Sequence, residues 1–407
     1  MKFDNQLRYG SSILAAYRGE MPLHAWLKNY FREHKQMGSR DRKLLSNMVY
    51  GFYRLGHAIR NLPVEERILT GLFLGTDVPC ELLQYFRPDW NENVTRSPEE
   101  KISIYRRSSL DFALPDIFPW KEELSEDVDH PAFCLSFLQQ PDLFLRIRPG
   151  NQERVLGKLK ELQMDFAFLP PFTVRLPNGS RAEEWFAVNK EIVIQDYSSQ
   201  RTAPFLQIPS SHRSVAVWDA CAASGGKSLL AYDLNPSSDL NSSIDLTVSD
   251  IRESILRNLR ERFQEAGIKK YYSFVTDLSV LSGILKTPTI RESSSAIYDL
   301  VIADVPCSGS GTWGRTPEEL YFFDKKKIGE YRELQRRIVS NLIPAVRPGG
   351  YFVYITCSVF REENEAQVDF ILEHSGLKLE KMELLKGYDR RADTLFVARF
   401  IVDERSE

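Results

Sequence analysis

The sequence predicts an α/β domain with a largely parallel sheet, preceded by a small α+β module and an N-terminal helical domain. Three observations carry this expectation. From Ile192 onward, short apolar runs alternate with amphipathic stretches, the rhythm of successive βαβ units. Four of the five runs close on an aspartate. The first run leads into a glycine loop of the kind that turns a strand tightly into a helix. At 407 residues the chain is too long for one ordinary core, and the expected divisions are 1–125, helical; 126–190, the small module; and 191–407, the α/β domain.

From Leu7 to about Leu110 the apolar residues recur at helical spacing, as in Leu23, Trp26, Leu27, Tyr30 and Phe31. The stretch Gly38–Leu45, continued by Met48–Arg54, reads as a capped helix with an interleaved basic and aromatic surface. A solvated helix face is the commoner meaning of that pattern, and an RNA contact the sharper one. In the module, a strand at Leu143–Arg148 precedes a helix carrying Val155, Leu156, Leu159 and Leu162, and a second strand follows around Phe172–Leu176. The α/β domain then supplies strands at Val215–Asp219, Leu246–Asp250, Phe274–Asp277, Leu300–Asp304 and Tyr351–Thr356. Ligands of open α/β sheets sit beyond the carboxyl ends of the strands, where this row of acids lies.

Composition narrows the class. The formal net charge of -3 argues on average against nucleic acid, yet 53 basic residues are enough to build one basic face. Candidate faces are Arg252, Arg257, Arg260, Arg262, Lys269 and Lys270, and again Lys325, Lys326, Lys327, Arg332, Arg336 and Arg337, with a solvated helix face as the equal alternative. Five cysteines at irregular spacing suit reduced thiols in a cytoplasmic protein better than a disulfide framework, and none form a zinc pair. With no apolar run of about 18 residues, a membrane span is not expected, and a monomer is the default.

Three places carry chemistry. In the loop Asp219–Ser228, Gly225 and Gly226 let the backbone turn, so that Cys221, Ala222, Ala223, Ser224, Gly225, Gly226 and Lys227 can present main-chain groups to a ligand. A phosphate-binding P-loop is the rival reading, weakened because Cys221 stands where its first glycine belongs, and a plain capping turn is another. Asp250 is placed to accept the hydroxyls of a ribose, and Asp277 an adenine amino group, although either alone is more simply a helix cap. Cys307 and Cys357 each follow a strand in small polar company, where a thiol faces a cleft; Cys80 and Cys134 read as buried apolar residues.

The segments Asp219–Ser228, Asp304–Gly311 and Thr356–Ser358 with Glu362–Glu365 resemble the signature motifs of the S-adenosylmethionine-dependent RNA cytosine-C5 methyltransferases, the RsmB/Sun (Fmu) and nucleolar Nop-type family. Gln195–Gln200 is similar to another stretch of that family, and the likeness covers roughly residues 143–400. The N-terminal part is loosely similar to a NusB-like RNA-binding domain. The resemblance implies a Rossmann-like class I methyltransferase domain and S-adenosylmethionine as cofactor. It also implies a single-stranded or loop cytosine of ribosomal RNA, 16S foremost, as substrate and 5-methylcytosine as product. It assigns Cys357 as the nucleophile that adds to carbon 6, Cys307 as the thiol that assists release, and Asp304 as a neighbour of base or cofactor. Arg315 is the basic residue nearest these motifs in sequence.

The chain departs from the family pattern at Ser224, Ser228, Val305 and Arg361, none of which is a reacting group. Ser224 is expected to loosen the glycine loop, and Val305 to narrow the space beside the base. The polar stretches Asn235–Ser243 and Glu292–Ser295 read as surface loops. Three other readings stay open: a transfer-RNA cytosine methyltransferase, a P-loop nucleotide hydrolase, and an inert RNA-binding scaffold.

Overall fold

The computed structural model describes residues 2–108, 112–209, 214–234, 244–280 and 298–403. Both polar stretches named above, 235–243 and 292–295, lie outside the described residues. The chain divides into two compact units: residues 1–141 with 312–324 and 388–391, and residues 142–311 with 325–387 and 392–407.

The first unit is helical, as the periodicity predicts. Its longer helices are Lys2–Ala16, Leu23–Glu33, Ser39–Arg54, Val64–Gly75 and Pro98–Ser108. Two of them cross where neither has a side chain: a Cβ on Gly51 would come within 2.8 Å of the Gly71 carbonyl carbon. The helix Ser39–Arg54 corrects the sequence reading twice. Its N-cap is Gly38, with no capping side chain. Its second half is core, with Met48, Val49, Phe52 and Tyr53 buried. Arg54, 2% exposed, donates to the carbonyls of Phe137, Gln139 and Gly314 and to the Gln140 side chain. A buried guanidinium is tolerable only when its donors are met in this way. The second half of the expected basic and aromatic surface is therefore an internal brace, while Arg40 and Lys43 in the first half are exposed as a solvated helix face would be.

The second unit holds two sheets. Strands β1 (Leu143–Ile147), β2 (Ala167–Leu169), β3 (Thr173–Leu176) and β4 (Ile192–Ile194) form an antiparallel sheet in the order β2-β3-β1-β4. Of these, β2 and β4 were not foreseen, and pairing of β4 with β1 carries the small sheet past residue 190. The larger sheet contains β5 (Val215–Asp219), β6 (Ile244–Asp250), β7 (Tyr272–Val275), β8 (Tyr298–Asp304), β9 (Val346–Thr356), β10 (Leu377–Leu385) and β11 (Leu395–Val402). Their order is β10-β11-β9-β8-β5-β6-β7. The run β9-β8-β5-β6-β7 is parallel, and β11 pairs antiparallel to both β9 and β10.

Parallel strands covered on both faces must be apolar throughout, and the centre of the sheet obeys: Val217, Leu246, Val248, Leu300, Ile302, Val353 and Ile355 are buried in one core with Leu229, Leu256, Leu259 and Phe263 of the covering helices. The small sheet is tied to this core through charge. Arg146 and Arg148 of its first strand and the following loop both bind Asp233, at 2.6 and 2.7 Å, and Arg148 also donates to the Asn189 and Ala266 carbonyls.

Candidate active site

Chain order along the sheet reverses between β5 and β8, so the crevice beyond their carboxyl ends is the topological switch point where α/β folds take ligands. Asp219 ends β5, and the loop after it turns into the helix Gly226–Leu234. The turn needs left-handed backbone at Ala223 (φ 47°) and Gly225 (φ 81°). At Gly225 a Cβ would also meet Phe263 at 2.8 Å, so only glycine suits both demands. Ala222 N–H donates to the Ser249 carbonyl and Ala223 N–H to Asp250 Oδ2 (3.0 Å), which pins the loop to the end of β6.

The loop acids divide by environment. Asp219 is fully buried, and burial pushes its carboxyl up to about 7 against the pull of the Ser228 hydroxyl, which donates at 2.6 Å. With the folded value above the unfolded one, the stability Asp219 contributes is complete below about pH 4 and is lost as pH rises through about 7. Asp219→Asn should accordingly gain stability relative to the parent as pH rises between those limits, by an amount on the order of 4 kcal/mol, read from melting temperatures across that range. A difference that stays flat over that range contradicts the assignment. Asp250, 6% exposed, is already engaged by Ala223 and by the Arg252 main chain (2.9 Å) and guanidinium (3.1 Å). Asp277 lies two residues beyond the end of β7 rather than on it, and the Ser279 hydroxyl and N–H hold its carboxyl below the usual range.

Lys227 links the loop to the next strand. Its ammonium reaches Asp304 Oδ2 at the end of β8 (3.1 Å) and Ser199 Oγ (3.0 Å). Three residues past Asp304 comes Cys307, and one past the end of β9 comes Cys357; adjacent parallel strands bring the two sulfurs to 3.3 Å. Both are half-buried. Contact with Cys357 first, then burial, push the Cys307 thiol well above its ordinary value, and the charge of Glu363 adds to this. Cys221 sits in the glycine loop, its thiol pushed up by burial and by Asp219, Asp250 and Asp304. Burial raises Cys134 to about 12 and also raises Cys80.

The cysteine loops rest on a polar scaffold that the sequence reading left without a role. Ser308, Ser310 and Ser358 form a hydroxyl cluster with separations of 3.1 to 3.2 Å. Ser310 Oγ accepts from Val359 N–H, and Ser358 Oγ from Phe360 N–H. Asn364 accepts from the Thr356 hydroxyl and donates to the Ser358 carbonyl. Gly311 N–H donates to the Cys357 carbonyl (2.9 Å), and a Cβ there would overlap the Thr394 carbonyl, so position 311 must be glycine. Glu363, fully buried, accepts from Ser308 N–H and from Gln335.

The departures from the family pattern also find places. Ser224 accepts from Arg262 through both its carbonyl and its hydroxyl (3.3 Å each), so it carries a tether for the loop. Val305 is buried. Arg262 also donates to Asn189, which removes it from the proposed basic face; Arg252, Arg260 and Arg332 are paired with Asp250, Glu253 and Glu362. Arg315 lies in the segment grouped with the helical unit.

Comparison with known proteins follows the same outline. The family described as 16S rRNA methyltransferase RsmB/F matches residues 207–400. A probable ribosomal RNA small subunit methyltransferase B of Synechocystis sp. is 28% identical over 370 residues, 86% of this chain and 77% of that one. The ribosomal RNA small subunit methyltransferase B of Salmonella arizonae is 30% identical over 243 residues, 58% of this chain and 52% of its own, so the match spans about half of that relative. Among solved structures, PH0851 has a TM-score of 0.63 at 19% identity, covering 92% of this chain and 93% of that one. NSun6 from Pyrococcus horikoshii with SFG has a TM-score of 0.51 at 16% identity, covering 64% and 91%. These likenesses show the fold, a Rossmann-like α/β domain accompanied by a helical region. Residues 207–400, which hold the glycine loop and both site cysteines, are thus the part of the chain that is similar to the RsmB/F methyltransferase family.

Proposed function

We propose that the protein is an S-adenosylmethionine-dependent RNA methyltransferase that modifies carbon 5 of cytosine in ribosomal RNA through a covalent bond between Cys357 and carbon 6. The observation that carries this reading is the pair of thiols 3.3 Å apart at the mouths of adjacent strands, beside a loop and acids suited to an adenosine-containing ligand. One strand away, the left-handed turn at Ala223 and Gly225, the helix starting at Gly226, and Asp250 and Asp277 offer the polar groups to hold the cofactor. When bound, S-adenosylmethionine supplies a methyl group made electrophilic by the sulfonium.

The chain's own part is to make carbon 5 a nucleophile. The Cys357 thiolate adds to carbon 6, and the π electrons of the C5–C6 bond shift toward carbon 5, the atom that takes the methyl group. Asp304, 31% exposed and anchored by Lys227, is placed to bond the amino or N3 edge of the base. For release, the proton on carbon 5 leaves to a base, the C5–C6 double bond re-forms, and the sulfur of Cys357 departs as thiolate; Cys307 is the neighbouring group for this step. A base inside a duplex cannot present carbon 6 to a thiol, so unstacked RNA is the substrate class.

Incubating the full chain with methyl-labelled S-adenosylmethionine and either 16S ribosomal RNA or transfer RNA, then identifying the labelled nucleoside, tests the reading. Label in 5-methylcytidine from the ribosomal RNA is expected. Label at another nucleoside, or in transfer RNA alone, overturns the assignment of reaction or substrate.

A further inference from the structure

Two equivalent thiols in contact pose a question that the cysteine pair cannot answer by itself, namely which sulfur attacks. When the pair holds one proton, that proton can rest on either atom. Nothing in a symmetric pair would choose. The surroundings are not symmetric, because a fully buried carboxylate in the scaffold of the cysteine loops accepts a main-chain hydrogen bond from the residue next to Cys307.

Glu363 lies in the short turn Arg361–Glu363 after β9, and its Oε2 accepts from Ser308 N–H (2.8 Å), the residue next to Cys307, and from Gln335 Nε2 (3.3 Å). Gln335, also fully buried, donates to the Pro306 carbonyl as well (3.1 Å), so both residues flanking Cys307 are bound to this pair of side chains. The other carboxylate oxygen, Oε1, is buried and has no hydrogen-bond partner among the described residues. An acid placed so, with one oxygen serving two donors and the other left unmet, costs stability and asks for a reason beyond packing. The groups acting on Cys307 and Glu363 from the packed elements are Cys357, Gln335, Tyr354, whose hydroxyl donates to the Glu363 carbonyl, and the serines 308 and 358. None of these is a cation.

Resting on the proposed role of Cys357, we infer that Glu363 is a positioning residue that breaks the symmetry of the pair: its negative charge keeps the shared proton on Cys307 and leaves the free electron pair on Cys357. The atoms balance without a further reactant, since one proton moves between two sulfurs and no bond to carbon changes. Burial raises the Glu363 carboxyl, while the Ser308 and Gln335 donors pull it back and favour the charged form that this role requires.

Site-resolved alkylation of the full chain by iodoacetamide, without RNA or cofactor, reads the effect. The parent is expected to lose Cys357 before Cys307 between about pH 7 and pH 9. Glu363→Gln, which keeps an oxygen for Ser308 but removes the charge, should lower the Cys357-to-Cys307 ratio about tenfold, one pKa unit. Glu363→Asp should keep the parental preference. A Gln variant whose two thiols gain reactivity in parallel shows a loosened loop only, and overturns the inference, as does an unchanged ratio. If the Gln variant does not fold, the parent still decides, because prior alkylation of Cys307 contradicts the assignment. A shifted ratio in a protein that methylates no RNA would sink the proposed function and leave this inference standing; methyl transfer with an unshifted ratio would do the reverse.

Discussion

Cys357→Ala is expected to abolish methyl transfer to RNA, with a loss on the order of 10⁴-fold or more, because no other step can raise electron density at carbon 5 of cytosine. The geometry makes this a clean experiment. Cys357 is half-buried, its main chain is held by Gly311 N–H, and the neighbouring Ser358 and Thr356 are fixed by Asn364, so removal of one sulfur leaves the loop's hydrogen bonds in place. Melting temperature and cofactor binding should therefore stay near the parental values while labelled methyl incorporation disappears. Retained turnover in the alanine variant would transfer the nucleophile's role elsewhere.

Cys307→Ala should produce a different defect. In the resting site the contact with Cys357 is the largest influence holding the Cys307 proton in place. Once Cys357 is bonded to carbon 6 it no longer presses charge on its neighbour, so Cys307 loses its proton to solvent more readily and, as thiolate, can take the one on carbon 5. Coupled thiols titrate as a pair, and binding one changes the other. Without Cys307 the first half of the reaction proceeds and release slows by roughly 10²- to 10⁴-fold, the range of a lost general base. The expected result is an RNA-linked protein band that survives denaturing electrophoresis and requires S-adenosylmethionine. A variant that turns over at the parental rate with no adduct would remove Cys307 from the release step.

The larger sheet was legible in sequence where strands are buried on both faces and punctuated. Val215–Asp219 is a strand at those limits, and the runs ending at Asp250 and Asp304 differ from the observed β6 and β8 only at their beginnings. Strands β2 and β4 escaped because three residues give no period to read, and β10 because alternating charge in Leu377–Leu385 reads as a solvated face. Arg54 was misread because the carbonyls that satisfy it lie more than 80 residues away in sequence. At the site, the two cysteines stood out by their small polar neighbours. Their support did not: Gln335 carries no local pattern, Ser199 and Glu363 lie in stretches marked only by the motif resemblance, and each meets its partner only through the tertiary fold. Motif resemblance had drawn the eye to Glu363 and Asn364 without giving either a task.

The central claim is a bond from one particular sulfur to the base, and trapping that bond tests it most directly. RNA carrying 5-fluorocytidine at the methylated position has no proton to lose from carbon 5, so release is blocked after methyl transfer. Peptide mapping of the full chain after incubation with this RNA and S-adenosylmethionine should find the nucleotide attached to the Cys357 peptide, and no attachment when the cofactor is omitted. Attachment at Cys307, or a protein that methylates ordinary RNA yet never becomes linked to the fluorinated one, would contradict the account.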